Sequence, residues 1–161
     1  MKQEFRTEHD FLGERKIANH LYYGIQTLRA IENFNITGVP VSKEPILIQS
    51  MAMVKKAAAM ANLELGVLTP EVAGAIVAAC NQLIKGEFTD QFPTDMIQGG
   101  AGTSVNMNVN EVIANIGLEY MGYKKGEYDF LHPNNHVNCS QSTNDAYPTA
   151  FRIALYLKVN E

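Results

Sequence analysis

Apolar residues along this chain recur mostly at helical spacing, and small punctuating residues divide them into separate helices. Leu47, Met51, Val54, Ala58, Ala61 and Leu65 follow steps of four and three, which line one face of a helix. Pro45 suits its first turn, and Gly66 suits the C′ position, where a left-handed backbone ends a helix. Thr69-Pro70-Glu71 starts a second helix, with a capping hydroxyl, a proline at the first helical position and an acid in the first turn. Val72, Ile76, Ala79 and Leu83 form its expected buried stripe, and Gly86 stops it. After a short loop with Phe92-Pro93, Val109, Val112, Ile113, Ile116 and Tyr120 mark a third helix closed by Gly122. A last helical pattern begins near Asp145 to Pro148 and takes in Phe151, Ala154 and Leu157.

Before Pro40 the only sustained periodicity lies between Tyr22 and Phe34. No run reads as a strand of a central sheet, and no internal repeat is visible. The predicted fold is therefore mainly α. The last pattern reaches Glu161 with no glycine, proline or cap, which reads as an element cut within its length.

Composition narrows the class. The chain has 161 residues, 46% hydrophobic and 19% charged, enough to bury a core. Its net charge of −4 comes from scattered acids with no basic stripe, which argues against a nucleic-acid surface. The longest nearly uncharged stretch, Val72 to Leu83, is too short to span a bilayer, and Met1 to Asp10 has no signal-peptide pattern. Cys80 and Cys139 fit no metal spacing and read as two buried free thiols in a reducing cytosol.

Two polar clusters precede helices. In Gly99-Gly100-Ala101-Gly102-Thr103-Ser104, glycines allow close backbone approach, and hydroxyls sit where unpaired helix N–H groups point outward. This combination suits a carboxylate or phosphate, although a capped turn uses the same residues. No Lys follows the glycines as a P-loop requires, and no strand or third glycine supports a dinucleotide fingerprint. Asn106 and Asn110, four apart, can share a helical face.

The second cluster runs from His132 to Asp145, and twelve of its fourteen side chains can donate or accept a hydrogen bond. His132 and His136 have helical metal spacing, but Pro133 stands between them and no Glu follows the first His. Structural hydrogen bonding is the preferred reading for both. Ser142-Thr143-Asn144 offers small donors beside a helix start, a cradle for a planar carboxylate. With no Asp–His pair nearby, the hydroxyls read as binders rather than nucleophiles.

Taken in series, several segments resemble the fumarase/aspartase superfamily. They include Tyr23-Gly24-Ile25-Gln26-Thr27-Leu28-Arg29-Ala30, Val54-Lys55-Lys56-Ala57-Ala58-Ala59, Gln91-Phe92-Pro93, Gly102 through Val112, His136-Val137-Asn138 and Gln141-Ser142-Thr143-Asn144-Asp145. Gly99 to Ser104, Ser142-Thr143-Asn144-Asp145 and Lys125-Gly126-Glu127-Tyr128 resemble the aspartate ammonia-lyase branch more than the fumarases. The resemblance implies a mainly helical N-terminal domain over residues 1–141. Residues 142–161 would then begin the first long helix of a central helical bundle domain.

It also implies reversible elimination of ammonia from L-aspartate to give fumarate, without a redox cofactor. The enzyme would be a cytoplasmic homotetramer with active sites shared between subunits, and its partner a small molecule rather than nucleic acid or membrane. Thr103, Ser142 and Thr143 would hold the β-carboxylate, with Asn144 near the amino end. His132, Asn134 and Asn135 align with a peripheral anion site of fumarases, whose third position is usually Asp; Asn135 removes that charge. Arg29 is a further candidate for an anion site near the N-terminus.

The family's serine base, on a Gly-Ser-Ser loop, would lie beyond Glu161, so this stretch alone is expected to be inactive. Two alternatives stay open: part of a class II fumarase, or a free-standing, non-catalytic dicarboxylate-binding domain.

Overall fold

A computed structural model describes residues 4–98 and 100–160. Gly99 of the first polar loop and the terminal Glu161 lie outside the described residues. Two strands come first, β1 (Phe5–Asp10) and β2 (Gly13–Ala18), followed by helix α1 (Ile25–Asn33). The long helices are α2 (Pro45–Glu64), α3 (Pro70–Ile84), α4 (Thr103–Tyr120) and α5 (Thr143–Val159). Short 3-10 turns at Val41–Lys43 and Thr89–Gln91 and a π-helical turn at Pro133–Val137 fill the connections.

The punctuation acts as expected. Pro45 and Pro70 enter their helices in the first turn, and the Thr69 side chain accepts from Val72 N. Gly66, Gly86 and Gly122 all take positive φ just past a helix end, a conformation that costs most residues about 1–2 kcal/mol. Helix α5 is described through Val159, and the Asn160 N–H bonds to Leu157 O.

Helix α4 is the axis of the core, buried without interruption from Asn108 through Leu118. It packs against α1, α3 and α5, while α2 lies against α3 and α5. Gly117 permits the close approach, since a Cβ there would come within 2.7 Å of Leu131 Cδ1 and 3.6 Å of Ala75. Ile76, Leu83, Ile113 and Leu118 are fully enclosed, each contributing about 1.5–3 kcal/mol by burial.

Several expected stripes are displaced, for a common reason. On α2 the buried line contains Leu47 and Met51 but continues through Lys55, Ala59 and Asn62, leaving Val54 and Ala58 half-buried and Ala61 and Leu65 exposed. Polar residues occupy the true inner face, so apolar spacing alone follows its neighbours. On α3 the line adds Ala73, Ala75 and Cys80, with Val72 half-buried. Tyr120 is exposed at the end of α4, and Phe151 on α5 is exposed. The inner face of α5 is instead Ala146, Ala150 and Ala154, small enough to bring its backbone close to α2.

Among the described residues there is no central sheet, but β1 and β2 form an antiparallel hairpin pairing Phe5 with Ala18 through Asp10 with Gly13. The apolar pattern hides it because the buried β1 residue is Glu8. Among the described residues, no helix is long and apolar enough to cross a membrane.

Candidate functional site

The starts of α4 and α5 meet. Gly102 precedes α4 at φ +86° with its Cα against the Tyr147 ring, where an added Cβ would collide with Tyr147 Cγ. One turn into α4, Asn106 Nδ2 reaches Thr143 Oγ1 at 3.3 Å. Two helix N-termini, each carrying partial positive charge, therefore stand side by side and favour an anion. An open groove of about 400 Å³ runs from Gln98 and Gly102 past Tyr147 to Phe151 and Arg152.

Ser142 is the N-cap of α5. Its Oγ accepts from Asn144 N at 3.1 Å, and its own N–H donates to the Asp145 carboxylate at 3.1 Å, a reciprocal capping box. Thr143 Oγ1 accepts from Asn106. Both hydroxyl oxygens thus receive protein donors, and each keeps its own proton to give. Asn144 and Thr103 are exposed at the two helix starts. Pro148 inside α5 has no N–H to give the Asn144 carbonyl one turn earlier. The structure thus brings together Ser142, Thr143 and Asn144 at one helix start and sets Thr103 at the adjoining one.

Behind this surface lies a buried polar knot centred on Lys55, which sequence periodicity passes over. Lys55 Nζ donates to Asn138 Oδ1 at 2.8 Å and Gln141 Oε1 at 3.0 Å, tying α2 to the turn before α5. Asn106 and Asn110 Nδ2 donate to the same Asn138 oxygen at 3.0 and 3.2 Å, so they do share a face. Burial pushes the Lys55 ammonium down to about 7, against the pull of Cys80. Burial likewise pushes the Cys80 thiol up to about 12. Of the two thiols expected inside, Cys80 is buried and Cys139 only partly so.

The histidines hold the π-helical turn. His132 Nδ1 accepts from Asn134 N at 3.0 Å and Asn135 N at 3.3 Å, while His136 Nδ1 accepts from His132 N at 2.8 Å. An Nδ1 that accepts carries no proton, and burial lowers both pKa values, with the His136 charge adding to the effect at His132. Asn134 and Asn135 are exposed on that turn, away from the knot's hydrogen bonds. The Arg29 guanidinium is committed to Asp10, with two contacts of 2.7 Å.

A second buried polar cluster leaves no trace in the spacing of apolar residues. The Glu111 carboxylate accepts from Gly24 N, Gln26 N, Thr27 N and the Thr27 hydroxyl, capping α1 from within α4. Glu8 accepts from Ile25 N, Arg6 and the Tyr128 hydroxyl. Burial pushes Glu111 up to about 7, opposed by the Thr27 hydroxyl and aided by the Glu8 charge. Gly24 is required there, because a Cβ would meet Glu8 Oε2 at 2.6 Å and Glu111 Oε1 at 2.8 Å. This cluster fastens hairpin, α1 and α4 together.

A family described as "Lyase" matches this chain over residues 13–161. The chain is 59% identical over 155 residues to an aspartate ammonia-lyase from Helicobacter pylori, covering 96% of this chain and 33% of that relative. A fumarate lyase:delta crystallin from Brucella melitensis, solved bound to cobalt, superposes with a TM-score of 0.96 at 55% identity, over 98% of this chain and 34% of that one. A class II fumarase from Schistosoma mansoni gives 0.87 at 34% identity, over 97% and 33% respectively. The chain spans about a third of the length of these relatives.

Proposed function

This chain belongs to the lyase family that its residues 13–161 match, and from that premise we propose that it is the N-terminal part of an aspartate ammonia-lyase. The reaction is reversible elimination of ammonia from L-aspartate to give fumarate. Identity of 59% to an aspartate ammonia-lyase against 34% to a class II fumarase favours this branch over hydration chemistry. In this reading residues 1–141 are one domain and 142–161 open a central bundle. The working enzyme is a cytoplasmic homotetramer with shared active sites and no nucleic-acid partner.

The observation that carries the reading is that Ser142 and Thr143 accept hydrogen bonds from the protein, which leaves each hydroxyl proton available for an anion. Thr103, Ser142 and Thr143 hold the β-carboxylate, and Asn144 lies towards the amino end of the substrate. Removing a proton from the carbon beside that carboxylate places a second negative charge on it. Preorganised donors that bind more strongly as this charge develops lower the barrier, and one such donor is worth about 3 kcal/mol in comparable oxyanion sites.

In this reading the base that takes the proton is a serine on a loop in the part of the enzyme that this third of the relatives' length does not include. The proposal extends to these 161 residues having no lyase activity alone. Fumarate absorbance measured with L-aspartate and L-malate tests the proposal in the full-length enzyme. Turnover of aspartate, with kcat/KM falling at least tenfold for Ser142→Ala or Thr143→Ala, supports it. Preference for malate, or unaltered kinetics in both variants, defeats it. Fumarate production by the 161-residue chain would refute the inactivity of this part.

A further inference from the structure

We propose that Asn106 is a positioning residue, which fixes the Thr143 hydroxyl as a donor towards substrate through a one-way chain of hydrogen bonds rooted at Lys55. The inference rests on the carboxylate-wall reading above and deepens it.

The direction of the chain follows from chemistry at each link. Lys55 Nζ presents N–H groups, so Asn138 and Gln141 must turn oxygens towards it, at 2.8 and 3.0 Å. Asn138 is held in that sense a second time, because its Nδ2 donates to Gln141 O at 3.0 Å. Gln141 is held likewise, its Nε2 donating to Val137 O and Cys139 O at 3.0 Å each. Facing the Asn138 oxygen, Asn106 has to offer nitrogen, and does so at 3.0 Å. The other N–H of that amide then points at Thr143 Oγ1, 3.3 Å away.

This last contact is long for N–H···O, so its importance is in direction rather than strength. Thr143 Oγ1, once it accepts, keeps its single proton for a partner outside the knot. Were Asn106 flipped, its oxygen would face both the Asn138 oxygen and Thr143, and the threonine would turn its proton inward.

The orientation is kept at some expense. Asn106 Oδ1 is buried and has no hydrogen-bond partner among the described residues, and Asn110 Oδ1 beside it is in the same position. Buried amide oxygens normally find donors, so an arrangement that leaves two of them unmet to keep the nitrogens at this junction points to a role beyond stability. Asn106 itself is 2% exposed, so it acts on substrate through Thr143 rather than by contact.

The test is a mutant cycle in the full-length enzyme, with thermal unfolding recorded for every variant. Thr143→Val should lower kcat/KM at least tenfold. Asn106→Asp, which presents only oxygen, and Asn106→Ala should each do nearly the same, with kcat falling more than KM. Adding either change to Thr143→Val should then cost less than a further twofold, because the hydroxyl they orient is already gone. If the Asn106 changes multiply the Thr143→Val loss in full, or leave wild-type kinetics, the positioning role is overturned. Unaltered kinetics of Thr143→Val alone would overturn the carboxylate wall itself, and this inference with it. Neutron diffraction from the unaltered protein tests the geometry even if the Asn106 variants fail to fold. The Thr143 deuteron should point away from Asn106 Nδ2, and a deuteron lying between them refutes the proposal.

Discussion

The Thr27 hydroxyl donates to the Glu111 carboxylate at 2.6 Å inside the protein, joining the first turn of α1 to the middle of α4. Three backbone N–H groups of Gly24, Gln26 and Thr27 converge on the same carboxylate. Glu111→Gln therefore sets an NH2 group against a ring of donors, with no acceptor to replace the lost oxygen. The expected loss is about 1–3 kcal/mol, read as a lower urea midpoint by circular dichroism. Thr27→Val, which deletes one donor and keeps the shape, should lose less. An unchanged midpoint for Glu111→Gln would mean the carboxylate does not hold this junction.

The same carboxylate gives stability a pH dependence. Its folded pKa of about 7 lies above the ordinary value of 4.5, so the folded state holds the proton more tightly than the unfolded chain. The associated stability is fully present below about 4.5 and is lost as pH rises through about 7. The wild-type advantage over Glu111→Gln should shrink between pH 5 and pH 8. A gap that widened would show that the four hydrogen bonds outweigh burial and keep Glu111 ionised.

Lys55 titrates with the opposite consequence. Burial lowers its pKa from 10.5 to about 7, so the unfolded chain binds the proton more tightly. The penalty for enclosing the ammonium is complete below about 7 and fades as pH rises towards 10.5. Relative to Lys55→Met, wild type should gain stability from pH 7 to pH 9, by at most about 1.4 kcal/mol per pH unit. A flat difference across that range would mean that Lys55 keeps an ordinary pKa despite full enclosure.

How much of this is readable from the chain depends on what each residue does. Helix boundaries are legible because Pro45, Thr69-Pro70 and Gly66, Gly86 and Gly122 act locally, through their own backbones. The hydroxyls of Thr103, Ser142 and Thr143 stand out for a similar reason, as donors placed at the cap or first residue of a helix. Lys55 does not, since its partners Asn138 and Gln141 are 83 and 86 positions away and nothing local announces a buried ammonium. Asn62 and Glu8 mislead in the same way, by putting polar groups on inner faces. The alanine face of α5 escapes the pattern because Phe151 is the larger apolar residue, and it points outward.

The two thiols should react very differently. Cys80 is fully enclosed with its pKa raised to about 12, so it presents almost no thiolate. Cys139 is only partly buried, beside Ser140 on the turn before α5. Maleimide labelling at neutral pH followed by peptide mass mapping should find adducts at Cys139 first, and at Cys80 only after urea unfolding. Labelling of native Cys80 at a comparable rate would contradict the packing of α3 against α2.

Gly102 and Gly100 separate two reasons for needing glycine. Both have positive φ, +86° and +74°, so alanine at either costs about 1–2 kcal/mol in backbone conformation. At Gly100 the nearest obstacle to a Cβ is Thr103 Oγ1 at 3.4 Å, a contact that yields to a small shift. At Gly102 the Cβ would run into Tyr147 Cγ, so the start of α4 and the first turns of α5 must separate. Gly102→Ala should therefore destabilise clearly more than Gly100→Ala in urea unfolding. Adding Tyr147→Ala should remove the clash but not the conformational cost, leaving Gly102→Ala a penalty close to that of Gly100→Ala when each is measured in the Tyr147→Ala background. Equal effects of the two glycine changes in the wild-type background would show that the helix starts are not held together at Gly102 and Tyr147.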